Sequence, residues 1–153
     1  IIFNMTNKEK IIIASDHAGY DFKKKIINYD FEYNIHIEDL GPFHDKSVDY
    51  PDYAHSLGKK IDSGYCNKGI LICGTGIGMS MVANKYENVR AALCLNEKMA
   101  RLARGHNDAN VIVLGSRLIS FEQTIKCLNS FLSSEFERGR HELRIKKFSN
   151  YKW

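Results

Sequence analysis

The chain has 153 residues, 44% of them hydrophobic and 26% charged, with a formal net charge of +4. That length carries one domain with a substantial core and is too short for two ordinary ones. The small basic excess does not argue for nucleic acid, no apolar run approaches the ~20 residues that span a bilayer, and Ile1–Met5 is too short for a signal-peptide core. Residues 1–4 precede the first methionine and read as a cloning remnant or the edge of a truncated precursor. Residues 1–9 are therefore set apart as an N-terminal extension, and 10–153 as a single domain.

Strand and helix signals alternate from there on. Lys10–Ser15 is a short β-branched apolar run and predicts the first strand. Gly19–Tyr29 carries Phe22, Ile26 and Tyr29 at helical spacing. Asn34–Leu40 alternates and predicts the second strand. Pro42 and Pro51 bracket the one long loop, Gly41–Asp52, and Tyr53–Ser63 then places Tyr53, Leu57 and Ile61 on one helical face. Gly69–Cys73 predicts a buried third strand, followed by a helix from Ile77 to about Lys85. Val89–Leu95 is the fourth strand, and Glu97–Arg104 a helix with Met99, Leu102 and Ala103 inward. Val111–Gly115 is the fifth strand. Phe121–Ser133 is a helix with Ile125, Leu128 and Leu132 inward, and a last basic helix runs from Glu135 to about Lys147.

Alternating βα units predict a parallel sheet with helices on both faces. Ligands of such open sheets bind at the carboxyl ends of the strands. Three polar clusters follow strands here: Ser15-Asp16-His17, Cys73–Gly78 and Ser116-Arg117. They are expected on one rim.

Cys73-Gly74-Thr75-Gly76-Ile77-Gly78 joins a thiol to a glycine turn that opens a helix. Such a turn aims several backbone N–H groups at one spot, where an anion can be held. A thiol beside that field is biased toward the reactive thiolate. The loop lacks the G-x-G-x-x-G spacing of dinucleotide sites and the Lys-Ser/Thr ending of a P-loop. The plain alternative is a tight strand–helix turn with a small core thiol.

Asp16-His17 can be a structural pair or a sugar and phosphate ligand. His106-Asn107-Asp108 can be helix-end chemistry, with Gly105 as the residue that stops the helix, or it can supply a proton carrier. Arg140 and Arg144 share a helix face, as a solvated basic stripe or as a phosphate clamp. The cysteines are Cys66, Cys73, Cys94 and Cys127, with no C-x-x-C spacing among them. They read as reduced thiols in a cytoplasmic protein.

These clusters, in this order, resemble the ribose-5-phosphate isomerase B family, which includes the galactose-6-phosphate isomerase subunits. The resemblance rests on Ser15–Gly19, Asp49–Ala54, Ile72–Gly78, Ala83–Lys85, His106–Asn110, Leu114–Arg117 and Gly139–His141, and covers roughly residues 10–147. It implies a Rossmann-like three-layer α/β/α sandwich with a five-stranded parallel sheet and an extra C-terminal helix. It implies a homodimer or dimer of dimers whose active sites are shared between subunits. The implied reaction is aldose–ketose isomerisation between ribose 5-phosphate and ribulose 5-phosphate, in the non-oxidative pentose phosphate pathway, without metal or cofactor. Residue by residue, Cys73 matches the catalytic base and His106 the ring-opening group. Gly74, Thr75, Gly76, Ile77 and Gly78 match the anion-hole loop, with Thr75 a candidate to move hydroxyl protons. Asp16, His17, Tyr50 and Asn107 match sugar-contacting positions, and Arg117, Arg140 and Arg144 phosphate-binding ones. A hexose 6-phosphate isomerase of the same family (allose or galactose 6-phosphate) is the first rival. A non-catalytic sugar-phosphate module on the same fold is the second.

Overall fold

A computed structural model describes residues 8–149; residues 1–7 of the expected extension lie outside the described residues, as do 150–153. Five strands form one parallel sheet: β1 (Glu9–Ser15), β2 (Ile35–Asp39), β3 (Gly69–Cys73), β4 (Ala91–Leu93) and β5 (Val111–Gly115). Their spatial order is β2-β1-β3-β5-β4, all neighbours parallel. Six helices accompany them: α1 (Tyr20–Ile27), α2 (Tyr50–Asp62), α3 (Ile77–Ala83), α4 (Glu97–Asn107), α5 (Phe121–Ser133) and α6 (Arg140–Ile145).

Period-two alternation sorts each central strand between two cores. Ile11, Ile13, Ile70, Ile72, Ile112 and Leu114 face one side, where Ile26 of α1, Ala100 and Ala103 of α4, and Leu128 and Phe131 of α5 cover them. Ile12, Ala14, Leu71, Cys73, Val111 and Val113 face the other, under Leu57 and Ile61 of α2 and Met79 of α3. The strands read as continuous apolar runs because both faces are covered. This is the expected three-layer α/β/α sandwich, with α6 as the extra C-terminal helix packed against α4.

Several boundaries differ from the sequence expectation, each for a local reason. Glu9, assigned to the extension, opens β1 and pairs with Ile35 of β2. Pro51 does not close a loop; it sits in the first turn of α2, where its missing N–H has no helical acceptor to lose. Helix α4 continues through Gly105 to Asn107 and ends at Asp108, whose φ of 46° is left-handed. Met99 was expected inward but is 38% exposed, leaving Ala100 and Ala103 as the contacts that let α4 lie close to the sheet. Helix α6 starts only at Arg140, because Arg138 and Gly139 both take φ of 60° and break the chain before it.

Candidate active site

The chain leaves β1 toward β2 on one side and the β3 units lie on the other, so the β1/β3 boundary is the topological switch point of the sheet. The three strand-end clusters meet there. Asp16 N–H donates to the Ile72 carbonyl at 3.1 Å, Ser116 N–H to Cys73 at 2.9 Å and Arg117 N–H to Gly74 at 2.9 Å. Ser116 Oγ donates to the Ala18 carbonyl at 2.7 Å and ties the β5 end to the β1 end.

Cys73 closes β3 on the α2/α3 face and is 5% exposed. Its Sγ accepts the Gly76 N–H at 3.1 Å. That contact needs the left-handed turn at Gly76, φ 76°, which swings the amide back over the strand end. The Ile77 N–H is taken by Thr75 Oγ1 at 3.3 Å. The N–H groups of Gly74, Thr75 and Gly78 have no acceptor among the described residues. The five-residue loop expected to form an anion hole is thus divided: the Gly76 amide donates to sulfur, the Ile77 amide donates to the Thr75 hydroxyl, and the other three have no acceptor among the described residues.

Other expected residues surround this loop. Asp16 is buried, and its Oδ1 accepts the Gly19 N–H at 3.0 Å. Gly19 itself packs against the Ile72 backbone, an approach that leaves no room for a Cβ. His17 Nδ1 accepts the Val48 N–H at 3.2 Å, so Nε2 is the ring nitrogen not engaged by that loop. The Tyr50 ring lies on Gly78, where an added Cβ would sit 2.6 Å from its hydroxyl. The exposed Arg117 side chain lies over Gly74, with Nη1 3.0 Å from where a Cβ would stand.

The remaining expected residues form a second group elsewhere. Helix α4 runs back from β4 to the start of β5, so its last turn lies at the amino-terminal edge of the sheet. Gly69 N–H, at the start of β3, donates to the Asn110 carbonyl at 2.9 Å and marks that edge. His106 and Asn107 end α4 there, a strand length of about 16 Å from the Cys73 rim. Helix α6 brings Arg140, His141 and Arg144 to the same place. The His106 and His141 rings stack with centroids 4.2 Å apart and planes at 12°. Glu137 Oε2 stands 3.5 Å from His106 Nε2 and 3.7 Å from His141 Nε2. Burial, with the nearby charges of His106 and Arg140, holds His141 below the usual histidine range. A cavity of about 670 Å³ beside this group is lined by Asn84, Lys85, Arg90, Asn107, Ile145 and Phe148.

Neither Glu137 nor the Val48 amide stood among the candidate residues. Glu137 had a usable signal, its i,i+4 spacing to His141; a backbone amide in a loop has none. His106, Glu137 and His141 offer ligand atoms within 4.8 Å of one another and could hold a cation by distance alone. Nearly parallel rings, however, direct their lone pairs side by side rather than at one point, as a tetrahedral site requires.

The family model described as Ribose/Galactose Isomerase matches residues 11–148. The chain belongs to this family. It is 36% identical over 137 residues to the ribose-5-phosphate isomerase B of Escherichia coli K12, covering 90% of this chain and 92% of that one. The ribose 5-phosphate isomerase of Thermotoga maritima superposes with a TM-score of 0.90 at 50% identity, covering 95% of this chain and 100% of that one. The ribose-5-phosphate isomerase B of Mycoplasma genitalium, solved with bound ribulose-5-phosphate, gives a TM-score of 0.88 at 44% identity, covering 93% and 95%. The match therefore spans both groups of residues, the Cys73 rim and the His106 edge.

Proposed function

We propose that this family member interconverts ribose 5-phosphate and ribulose 5-phosphate, with Cys73 as the base, in the cytoplasm and without metal or cofactor. The observation that carries this reading is the Gly76 N–H held 3.1 Å from Cys73 Sγ, beside three loop amides with no acceptor among the described residues. The Mycoplasma genitalium relative with bound ribulose-5-phosphate supports the sugar-phosphate substrate class.

The reaction moves hydrogen between two adjacent carbons. The Cys73 thiolate removes the proton from C2 of the open-chain aldose. The C1 carbonyl oxygen takes the charge, and the open amides of Gly74, Thr75 and Gly78 hold the cis-enediolate. In comparable holes, one such donor is worth about 3–4 kcal/mol of barrier. Thr75 Oγ1 carries the O2 hydroxyl proton to O1, and the Cys73 thiol returns its proton to C1. Aldehyde becomes alcohol and alcohol becomes ketone, with no external oxidant. The Gly76 N–H is the donor that holds charge on sulfur before and after the transfer.

The two groups of residues combine in a symmetric homodimer. There the His106 edge of one protomer meets the Cys73 rim of its partner, and each site takes His106, Asn107, Arg140 and Arg144 from the other chain. Arg117 and His17 meet the phosphate from the rim side; the arginine forks suit its oxygens better than lysine would. Asp16, Tyr50 and Asn107 bind the sugar hydroxyls.

Steady-state rates of the purified protein on ribose 5-phosphate, allose 6-phosphate and galactose 6-phosphate test the reading. The expected result is the highest kcat/KM on the pentose. Preference for a hexose would replace the substrate and keep the chemistry, and no turnover on any of the three would leave a binding module.

A further inference from the structure

We propose that Glu137 is a positioning residue for His106, holding its Nε2 so that Nδ1 is the nitrogen turned to the substrate; this rests on the ring-opening role given to His106 above. The carboxylate is placed by the backbone. Glu137 N–H donates to the Gly105 carbonyl at 2.9 Å, which pins the segment before α6 onto the last turn of α4. An added Cβ at Gly105 would stand 2.9 Å from Glu137 Oε1. The glycine leaves room for the carboxylate beside the helix.

Glu137 Oε2 is 3.5 Å from His106 Nε2, a short side-chain rotation from hydrogen-bonding distance, and such contacts tighten when substrate binds. His141 limits the ring from the other side. Stacked at 4.2 Å, it holds the plane of the His106 ring, and its own Nε2 lies 3.7 Å from the same oxygen. His106 Nδ1 has no hydrogen-bond partner among the described residues, on a side chain that is 37% exposed. With Nε2–H directed to Glu137, the protonated ring presents Nδ1–H. Opening the furanose breaks the C1–O4 bond. His106 gives its Nδ1 proton to O4, the O1 hydroxyl becomes the carbonyl and releases its proton to water, and His106 is recharged from solvent.

Ribulose 5-phosphate supplies a control. Its O5 carries the phosphate, so it cannot close a furanose ring and enters as the open chain. The test compares kcat in both directions for His106→Ala, Glu137→Ala, Glu137→Gln and the double variant. It also follows the His106 tautomer by 15N NMR of the full-length protein. Glu137→Ala is expected to lower kcat on ribose 5-phosphate about tenfold and kcat on ribulose 5-phosphate less than threefold. His106 should also lose its preference for the Nε2–H tautomer. Glu137→Gln, which keeps the shape and one acceptor oxygen, is expected to restore part of the rate, and the double variant to be no worse than His106→Ala alone. If His106→Ala shows the directional effect and Glu137→Ala does not, the positioning role is wrong. An equal loss in both directions with an unchanged His106 tautomer would make Glu137 a structural support for α6 and also overturn it. If His106→Ala itself shows no directional effect, the ring-opening assignment falls and this inference with it.

Discussion

The two groups of expected site residues are built in opposite ways. The Cys73 rim is made of strand ends and backbone amides. Its thiol is 5% exposed, and its loop is clamped by hydrogen bonds to Asp16, Ser116 and Arg117. The His106 edge is made of side chains on helix ends, with His106 at 37% and Glu137 at 54% exposure. The rim is preorganised by the fold, as a site that must hold transition-state charge needs to be. The edge depends on one short helix docked through one backbone hydrogen bond, the His106–His141 stack and a few further contacts. In the proposed mechanism the chemistry on charge falls to the rigid half and ring opening to the adjustable one, while both halves contribute phosphate contacts.

Four measurements break or sharpen that contrast. The largest effect is expected from Cys73→Ala, which should lower turnover about a thousandfold or more while sugar-phosphate binding, followed by calorimetry, stays within about threefold. Unchanged turnover would remove the base from the rim. Next, Cys73→Ala and His106→Ala should each be poorly active alone but complement when mixed and allowed to exchange subunits. Random pairing makes half the dimers mixed, each with one intact site in two, so recovery should approach about a quarter of wild-type activity. No recovery would put both residues in one protomer's site. Third, Arg140→Ala and Arg144→Ala should each raise KM for the phosphorylated sugar about tenfold with a smaller change in kcat, the loss of one charge-assisted contact. The smallest effect is on stability. His141 sits below the usual histidine range in the folded protein, so the unfolded chain binds the extra proton first. Its contribution is therefore fully present above the ordinary histidine pKa and is lost as pH falls through that range toward the lowered folded value. Urea midpoints measured from pH 8 down to pH 5 should decline, and His141→Asn should flatten that decline.

Much of the rim was legible in the residues. Gly69–Cys73, Val111–Gly115 and Phe121–Ser133 have the bounds their patterns predict, because short β-branched runs closed by Gly, and a helix opened by Ser120, leave few alternatives. The edge was legible only in part. Gly105 signals a helix end on local chemistry, yet the helix runs past it, because Asp108 supplies the left-handed cap and Glu137 fills the space beside the glycine. The contact between Glu137 and His106 joins segments remote in sequence, and no periodicity marks it.

The order of strands and helices, the two-sided burial of the central strands and the glycine turn after Cys73 are properties of local pattern and backbone freedom, and the sequence by itself determined them. Two things were decided only by the tertiary structure. One is the direction of the Cys73 sulfur, since a strand-end side chain turns toward whichever amide the following loop brings back, here Gly76. The other is the separation of His106 from that sulfur. A helix returning between parallel strands must end at the edge opposite the one where it began, so two residues proposed to serve one reaction are held about a strand length apart within the chain.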